Sequence, residues 1–264
     1  MNYTPITDLN LPELQIYKQL RDNAFSEDNS FIADSPKVIN KLLETSIQVK
    51  SIFATQEYYD THKTLISSKN IPKLYVADKA LMQEIVGHKI HHNAMMHGVR
   101  PEPTPLKELG KHIIMLDEIS STENIGSIAR SAAALGVDSF MLPKQGPHPY
   151  ARRALRVSMG HISMLKMHLY KDIPSIIPEL QSRGYTICAA EITEGSIPLF
   201  DLKVPDKWVL LMGHEGKGIS KEVLALCDKV VHIEMQEGIN SFNVSVAASI
   251  IMYQLKYKVE INKL

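Results

Sequence analysis

Cysteine is scarce in this sequence. Cys188 and Cys227 are the only two cysteines among its 264 residues, and they do not form a C-x-x-C pair. The sequence therefore has neither a framework of several disulfides nor a cysteine-based zinc site. Because both cysteines stand among apolar residues, we expect them to be buried free thiols.

The sequence also lacks a long hydrophobic run. No apolar segment approaches the roughly 18 residues that a membrane-spanning helix requires. The first segment, MNYTPITDLNLPELQIYKQL, has acids where a signal peptide has a basic region. We therefore expect a cytoplasmic protein that has no membrane partner.

Neither sign of charge is in excess, since Lys plus Arg and Asp plus Glu each total 29. The overall charge therefore gives no indication of a nucleic-acid partner. One long stretch differs, because Lys144–Lys171 contains Lys and Arg residues but no acid. Taken alone, this stretch fits a solvated helix face and a surface that contacts RNA or phosphate equally well.

The chain is long enough for two domains. The segment RPEPTPLKELGK is rich in proline, which stiffens a chain, and it predicts a linker at Arg100–Pro105. Residues 1–104 then form a small domain in which strands and helices alternate. Residues 105–264 form a second α/β domain with a mostly parallel sheet, and we expect its ligand at the carboxyl ends of the strands.

Sequence patterns predict the elements of both domains. The predicted helices are Leu11 to about Ser26, one capped by Asp34 or Ser35, DTHKTLISSK, DKALMQEIVG, NIGSIARSAAALGV, IPSIIPELQSRG, SKEVLALC capped by Ser220, and SFNVSVAASIIMYQLKYKVE. The predicted strands are a short one at FIAD, Val49–Ala54, IPKLYVAD, HIIMLDEI, SFMLP, YTICAAEI, WVLLMG and KVVHIEM.

A histidine cluster, GHKIHHNAMMHG, invites a metal-site interpretation because His88 and His92 are spaced as a helical ligand pair. However, the cluster has no acid between these two histidines, no H-E-x-x-H motif and no nearby cysteine. We therefore expect surface or packed histidines near the domain junction and no metal site.

Glycine- and asparagine-bearing turns are the most informative features. The segment LLMGHEGKGIS fails the phosphate-loop pattern, because no Ser or Thr follows its lysine, and it fails the dinucleotide pattern G-x-G-x-x-G. Glu215 would also repel a phosphate. We expect a tight turn against which a ligand lies, with Glu215 directed into the site or capping the next helix.

Three motifs occur in order in the second domain: N-x-G-x-x-x-R-x-A at Asn124–Ala132, G-x-E-G-x-G-x-S at Gly213–Ser220, and I-x-M-(x)5-S-x-N-V-S-x-A at Ile233–Ala247. Singly, Asn124 could be an N-cap, Arg130 a surface charge on the second turn of a helix, and Ser241 and Asn243 helix caps. Together the motifs resemble the SpoU/TrmH family of the SPOUT superfamily, which are S-adenosylmethionine-dependent RNA ribose 2′-O-methyltransferases. The resemblance covers about residues 112–257, and the first domain looks like the L30e-like RNA-binding module of the family.

This resemblance implies a deep trefoil knot near the C-terminus and a homodimer formed through it. It also implies that the loops Gly213–Ser220 and Glu237–Phe242 hold bent S-adenosylmethionine. The cofactor-binding residues it implies are Leu211, Met212, Gly213, Gly218, Ile233, Met235 and Phe242. The catalytic residues it implies are Asn124, Arg130, Glu215, Ser241 and Asn243, and the RNA contacts are Arg152, Arg153 and Arg156. Arg130 would hold the target phosphate and stabilise the developing alkoxide, since a guanidinium is a poor base.

Three positions depart from the usual family pattern. His214 stands where Asn is common, Glu234 where Pro is common and Phe242 where Leu is common. These three residues bear on the shape of the cofactor pocket and on its affinity for the cofactor.

Two rival functions stay open, a noncatalytic knotted RNA-binding protein and a SPOUT enzyme that methylates a base nitrogen. We expect rRNA over tRNA as the substrate.

Overall fold

The computed structural model describes residues 2–8, 10–18, 29–87 and 92–261, with side chains described up to residue 258. The chain forms two compact units, which are described separately. Unit 1 consists of residues 1–102 and 148–163, and unit 2 consists of residues 103–147 and 164–264. The chain therefore first changes unit inside the proline-rich segment. Residues 148–163, which the sequence interpretation assigned to the second domain, group with unit 1.

Unit 1 is built on a five-stranded mixed sheet with the strand order β1-β4-β3-β5-β2. Strands β1 and β3 run parallel to β4, whereas β5 runs antiparallel to both β2 and β3. The strands are β1 (Thr4–Pro5), β2 (Ser30–Asp34), β3 (Val49–Ala54), β4 (Lys73–Val76) and β5 (Ala94–Val99). The helices are α1 (Gln15–Lys18), α2 (Pro36–Leu43), α3 (Gln56–Thr61), α4 (Lys63–Ser67) and α5 (Lys79–Val86), with α7 (Arg152–Val157) added by the returning chain.

Local sequence signals explain several of these boundaries. Ser35 caps α2, as predicted, and its hydroxyl accepts a hydrogen bond from Val38 N. Asp78 caps α5, which ends at Gly87 in the left-handed conformation that glycine favours. Strand β3 has the predicted bounds. Strand β5 was not predicted, because the histidines in and before it interrupt the apolar pattern that predicts a strand.

The histidine cluster is only partly described. His88 and His91 lie outside the described residues. His97 belongs to β5, where its Nε2 lies 2.7 Å from the Ser30 hydroxyl. Packing within unit 1 therefore accounts for this member of the cluster.

Unit 2 contains a seven-stranded sheet in which every pairing is parallel, with the order β10-β12-β9-β11-β6-β7-β8. The mostly parallel α/β fold predicted from the sequence is confirmed. The strands are β6 (His112–Leu116), β7 (Ser139–Pro143), β8 (Lys166–Tyr170), β9 (Thr186–Ala190), β10 (Ile197–Pro198), β11 (Trp208–Met212) and β12 (Lys229–His232). The helices are α6 (Thr122–Ala134), α8 (Ile173–Ser182), α9 (Lys221–Leu224) and α10 (Val244–Ile261).

Most unit 2 elements follow the predicted segments, but β8 and β10 were missed, as was α7 of unit 1. Strand β8 reads KMHLY, in which Lys166 and His168 obscure the apolar pattern of a buried strand. Strand β11 was recognisable because all five of its residues are apolar and buried.

Of the two cysteines, Cys188 is buried and Cys227 half-buried, and both are free thiols. No helix within the described ranges is sufficiently long and apolar to cross a membrane.

Helix α7 carries all three arginines that are predicted to contact RNA, and two of them pair with an acid of β2. Arg152 Nη1 lies 2.8 Å from Asp34 Oδ2, and Arg156 Nε lies 3.6 Å from Asp34 Oδ1. Asp34 is largely buried, with a side chain 13% exposed. The pairing gives Arg152 and Arg156 a structural role in unit 1, and both Arg153 and Arg156 are exposed to solvent.

We expect Asp34→Asn to lower the free energy of unfolding by about 1–2 kcal/mol, because it leaves two arginines without their carboxylate. Lys41→Ala is the control, since its ion pair with Glu44 is more exposed and should contribute less than about 0.5 kcal/mol. Urea unfolding of both variants measures the difference. Equal effects would contradict a structural role for the Asp34 pairs.

Candidate active site

The N-terminus of α6 carries the first sequence motif. The helix begins at Thr122, and the Ser121 hydroxyl caps it by accepting from Asn124 N at 3.3 Å. Asn124 is therefore inside the helix and is not its cap. Because the helix begins two residues before Asn124, the exposed Arg130 lies in its third turn and not in the second, where a start at Asn124 would place it.

The turn that follows β11 is closed by its own backbone. Gly218 N donates to His214 O at 2.9 Å, and Gly218 has a φ of 66°, which favours glycine. His214 Nδ1 accepts from Gly216 N at 2.9 Å and from Lys217 N at 3.3 Å. Ser220 caps α9, as predicted. Residues 213–218 thus form a fixed turn at the carboxyl end of the sheet.

Glu215 joins this turn to the N-terminal end of α6. Its Oε1 accepts from Asn124 Nδ2 at 2.9 Å and from Ser121 N at 3.0 Å, and its Oε2 accepts from Ser120 N at 3.1 Å and Ser120 Oγ at 3.2 Å. Partial desolvation opposes ionisation, but these hydrogen bonds prevail and lower the pKa of Glu215 to about 2. Glu215 is therefore a carboxylate at neutral pH, and it does not cap α9.

A second link connects α6 to the beginning of α10. Asn124 Oδ1 accepts from Asn243 Nδ2 at 3.2 Å, and Asn243 Oδ1 accepts from Ser245 N at 2.9 Å and from Ser245 Oγ at 2.7 Å. The side chains Glu215, Asn124 and Asn243 consequently form one hydrogen-bonded chain. The three sequence motifs meet in space through this chain.

A cavity of about 140 Å³ lies beside it, between the turn after β11 and the segment that leads into α10. The predicted cofactor residues that line it are Met212, Gly213, Gly218, Ile233, Met235 and Phe242. Leu211 packs instead in the hydrophobic core of unit 2. Of the predicted catalytic residues, Glu215 and Ser241 line the cavity.

Glu191 also lines this cavity, and the sequence interpretation missed it. Its Oε2 accepts from Ile219 N at 2.9 Å, and its Oε1 accepts from Ile192 N at 3.0 Å. The carboxylate therefore holds the far end of the glycine turn. Its position near the carboxyl end of the predicted strand YTICAAEI was the only signal available in the sequence, and in the structure it directly follows β9.

Comparison of the chain with known families and known sequences gives two findings. A model of the SpoU rRNA Methylase family matches residues 111–253. An uncharacterised tRNA/rRNA methyltransferase of Mycobacterium bovis is 27% identical over 229 residues, which cover 84% of this chain and 79% of that protein.

Solved structures share the fold over nearly the whole chain. The AdoMet-bound rRNA methyltransferase of Sinorhizobium meliloti has a TM-score of 0.85 at 19% identity and covers 97% of this chain and 98% of that chain. An RNA 2′-O ribose methyltransferase structure has a TM-score of 0.77 at 17% identity and covers 99% and 100%. At these identities the likeness establishes the fold alone.

We expect Glu215→Gln to lower the free energy of unfolding at pH 7 by about 1 kcal/mol, since the site is partly exposed to solvent. The ionised carboxylate stabilises the fold above its ordinary pKa of 4.5, and this contribution is lost as the pH falls towards 2. The difference between wild type and variant in urea unfolding should therefore shrink between pH 5 and pH 2. A difference independent of pH would contradict the role of the charge.

Proposed function

The chain belongs to the SpoU rRNA Methylase family, and we propose that it transfers a methyl group from S-adenosylmethionine to a ribose 2′-hydroxyl of RNA. The observation that carries this proposal is the hydrogen-bonded chain of Glu215, Asn124 and Asn243 beside the cavity. Each member comes from a different motif of the family pattern. A protein that only bound RNA would not need these three polar side chains fixed together.

The cavity has the chemical character that S-adenosylmethionine requires. No Lys or Arg is among the described residues that line it, whereas Glu191 and Glu215 are. That charge suits a sulfonium cation better than a phosphate. Its apolar lining, including Ile233, Met235 and Phe242, suits adenosine.

The glycines of the turn let its backbone fold tightly on itself. A Cβ at Gly213 would lie 2.6 Å from the carbonyl carbon of Gly218, and a Cβ at Gly218 would collide with Glu191 Oε2. The fold of the turn therefore demands glycine at both positions. This compact turn, called the cradle below, forms one wall of the cavity, which supports S-adenosylmethionine as a ligand held against its backbone.

Bound S-adenosylmethionine supplies an electrophilic methyl group. Methyl transfer is an in-line displacement, so the protein must hold the ribose oxygen on the axis of the breaking bond. We assign this positioning to Asn124, Ser241 and Asn243, with Glu215 fixing Asn124. Exposed Arg130 is assigned to the target phosphate and to the alkoxide that develops in the transition state.

A homodimer and a trefoil knot are further parts of the proposal. An exposed apolar stripe along α10, made of Val246, Ile250, Tyr253 and Tyr257, supports self-association through unit 2.

We propose that unit 1 binds the RNA, with Arg153 and the flanking Arg152 and Arg156 on its path. Ribosomal RNA is the proposed substrate, because the family is one of rRNA methylases and the similar Sinorhizobium meliloti protein is an rRNA methyltransferase.

Mapping of 2′-O-methylation in cellular RNA, with and without the gene for this chain, tests the function. We expect one or more alkali-resistant linkages to disappear without it, because a 2′-O-methyl group blocks cleavage there. An unchanged 2′-O-methyl profile accompanied by loss of a methylated base would favour methylation of a base nitrogen. An unchanged profile of both kinds, with no cofactor bound in calorimetry, would favour the noncatalytic RNA-binding protein.

We expect Gly218→Ala to weaken S-adenosylmethionine binding at least tenfold, because its Cβ collides with Glu191 and strains a φ of 66°. Gly216→Ala is the matched control in the same turn, since its nearest neighbour for a Cβ is His214 Cε1 at 3.8 Å. Isothermal calorimetry with the cofactor measures both variants. Equal affinity of the two variants would rule out the cradle as the binding element.

A further inference from the structure

The proposed reaction needs a group that accepts the proton of the ribose hydroxyl. Glu215 is poorly suited, because its oxygens accept four hydrogen bonds and they hold its pKa near 2, despite partial burial. A base with so low a pKa provides little driving force for proton transfer at neutral pH. Arg130 is a cation and has no lone pair to offer. Another group at the site must therefore accept the ribose proton.

Asp117 lies where β6 ends, next to the cofactor turn. Its backbone N donates to Met212 O at 2.8 Å, so the residue lies beside Gly213 in the neighbouring strand connection. Its side chain lines a second, open cavity of about 560 Å³. His214 and Gly218 line this cavity and the first one, so the two cavities share a wall. A group bound in the second cavity would be a direct neighbour of the cofactor.

The Asp117 carboxylate differs from that of Glu215 in its surroundings. It is half-buried, and no donor in the described part of the chain hydrogen-bonds to it. Burial first, and the charge of Glu118 second, raise its pKa, while His214 opposes the shift. The carboxylate therefore keeps free lone pairs and has gained basicity.

His214 is the other basic group at the shared wall, and its hydrogen bonds exclude it as the acceptor. Two backbone N–H groups, of Gly216 and Lys217, donate to Nδ1, so the neutral ring carries its proton on Nε2. His214 is thus fixed as a donor. The other charged groups that line the second cavity are Glu118, Lys171, Asp172 and Lys217.

We propose that Asp117 is the general base, and this inference rests on the proposed function. The ribose O2′–H bond breaks, and its proton passes to the Asp117 carboxylate. The electron pair of O2′ forms the new O–CH₃ bond, while the S–CH₃ bond of the sulfonium breaks and leaves its electrons on sulfur. The target ribose lies where the two cavities meet at His214 and Gly218, between Ser241 of the first cavity and Asp117 of the second, and the cofactor lies in the first cavity.

Asp117→Asn tests this role, since it keeps the shape of the side chain and removes the base. We expect kcat for methyl transfer to an RNA substrate to fall about 10²–10³-fold. The affinity for S-adenosylmethionine in calorimetry should change less than threefold. Asp172→Asn is the control, because it removes another carboxylate from the same cavity but one that caps α8 through Ser175 N. It should retain kcat within about threefold.

The pH profile of Glu118→Gln gives a second, independent readout. Loss of the Glu118 charge removes a cause of the raised pKa of Asp117, so the acid limb of kcat should move to lower pH. Carbon NMR of the Asp117 carboxyl should show the same shift without turnover. A purely structural role for Asp117 predicts neither change.

Three results would overturn the inference. These are a kcat of Asp117→Asn within threefold of wild type, an acid limb that Asp117→Asn retains, and an acid limb that Glu118→Gln does not move. Each of these results would leave the proposed function intact, since wild type still methylates RNA. A wild-type protein that binds S-adenosylmethionine but transfers no methyl group to any RNA would overturn the proposed function, and this inference with it.

Discussion

The hydrogen bonds of Glu215 are the constraint on which the site depends. Parallel pairing of β11 with β6 brings two strand ends to one edge of the sheet, but pairing alone leaves the loops that follow them free to diverge. Glu215 closes the gap by accepting from the backbone of Ser120 and Ser121 and from Asn124. Because Asn124 in turn holds Asn243, one carboxylate fixes the relative positions of three segments that are distant in sequence.

Glu215 therefore acts through geometry more than through proton transfer. Each hydrogen bond that stabilises its charged form also weakens it as a base. Asp117, one strand connection away, has the opposite properties, since burial raises its pKa and it lacks hydrogen-bond donors among the described residues. Two neighbouring carboxylates with opposed pKa shifts are the arrangement expected where one organises a site and the other takes a proton.

The sequence predicted the unit 2 fold well because its signals are local. Buried parallel strands such as β11 read as continuous apolar runs, and Ser220 marks the beginning of the helix that it caps, α9. The departures arise from contacts distant in sequence. Residues 148–163 return to unit 1, where Asp34 pairs with Arg152 and Arg156, and no local pattern of charge could identify that partner.

The same reasoning explains what the sequence could not reveal about the site. Glu191 and Asp117 belong to none of the three motifs. The position of Glu191 depends on Ile219 N, which is distant in sequence, and the raised pKa of Asp117 depends first on its burial in the folded chain. His214 departs from the family pattern, yet its Nδ1 is held by the backbone of its own turn. A side-chain amide oxygen could accept those two bonds equally well. What the imidazole adds is an Nε2–H donor at the wall between the two cavities, so the departure bears on the group bound there and not on the turn itself.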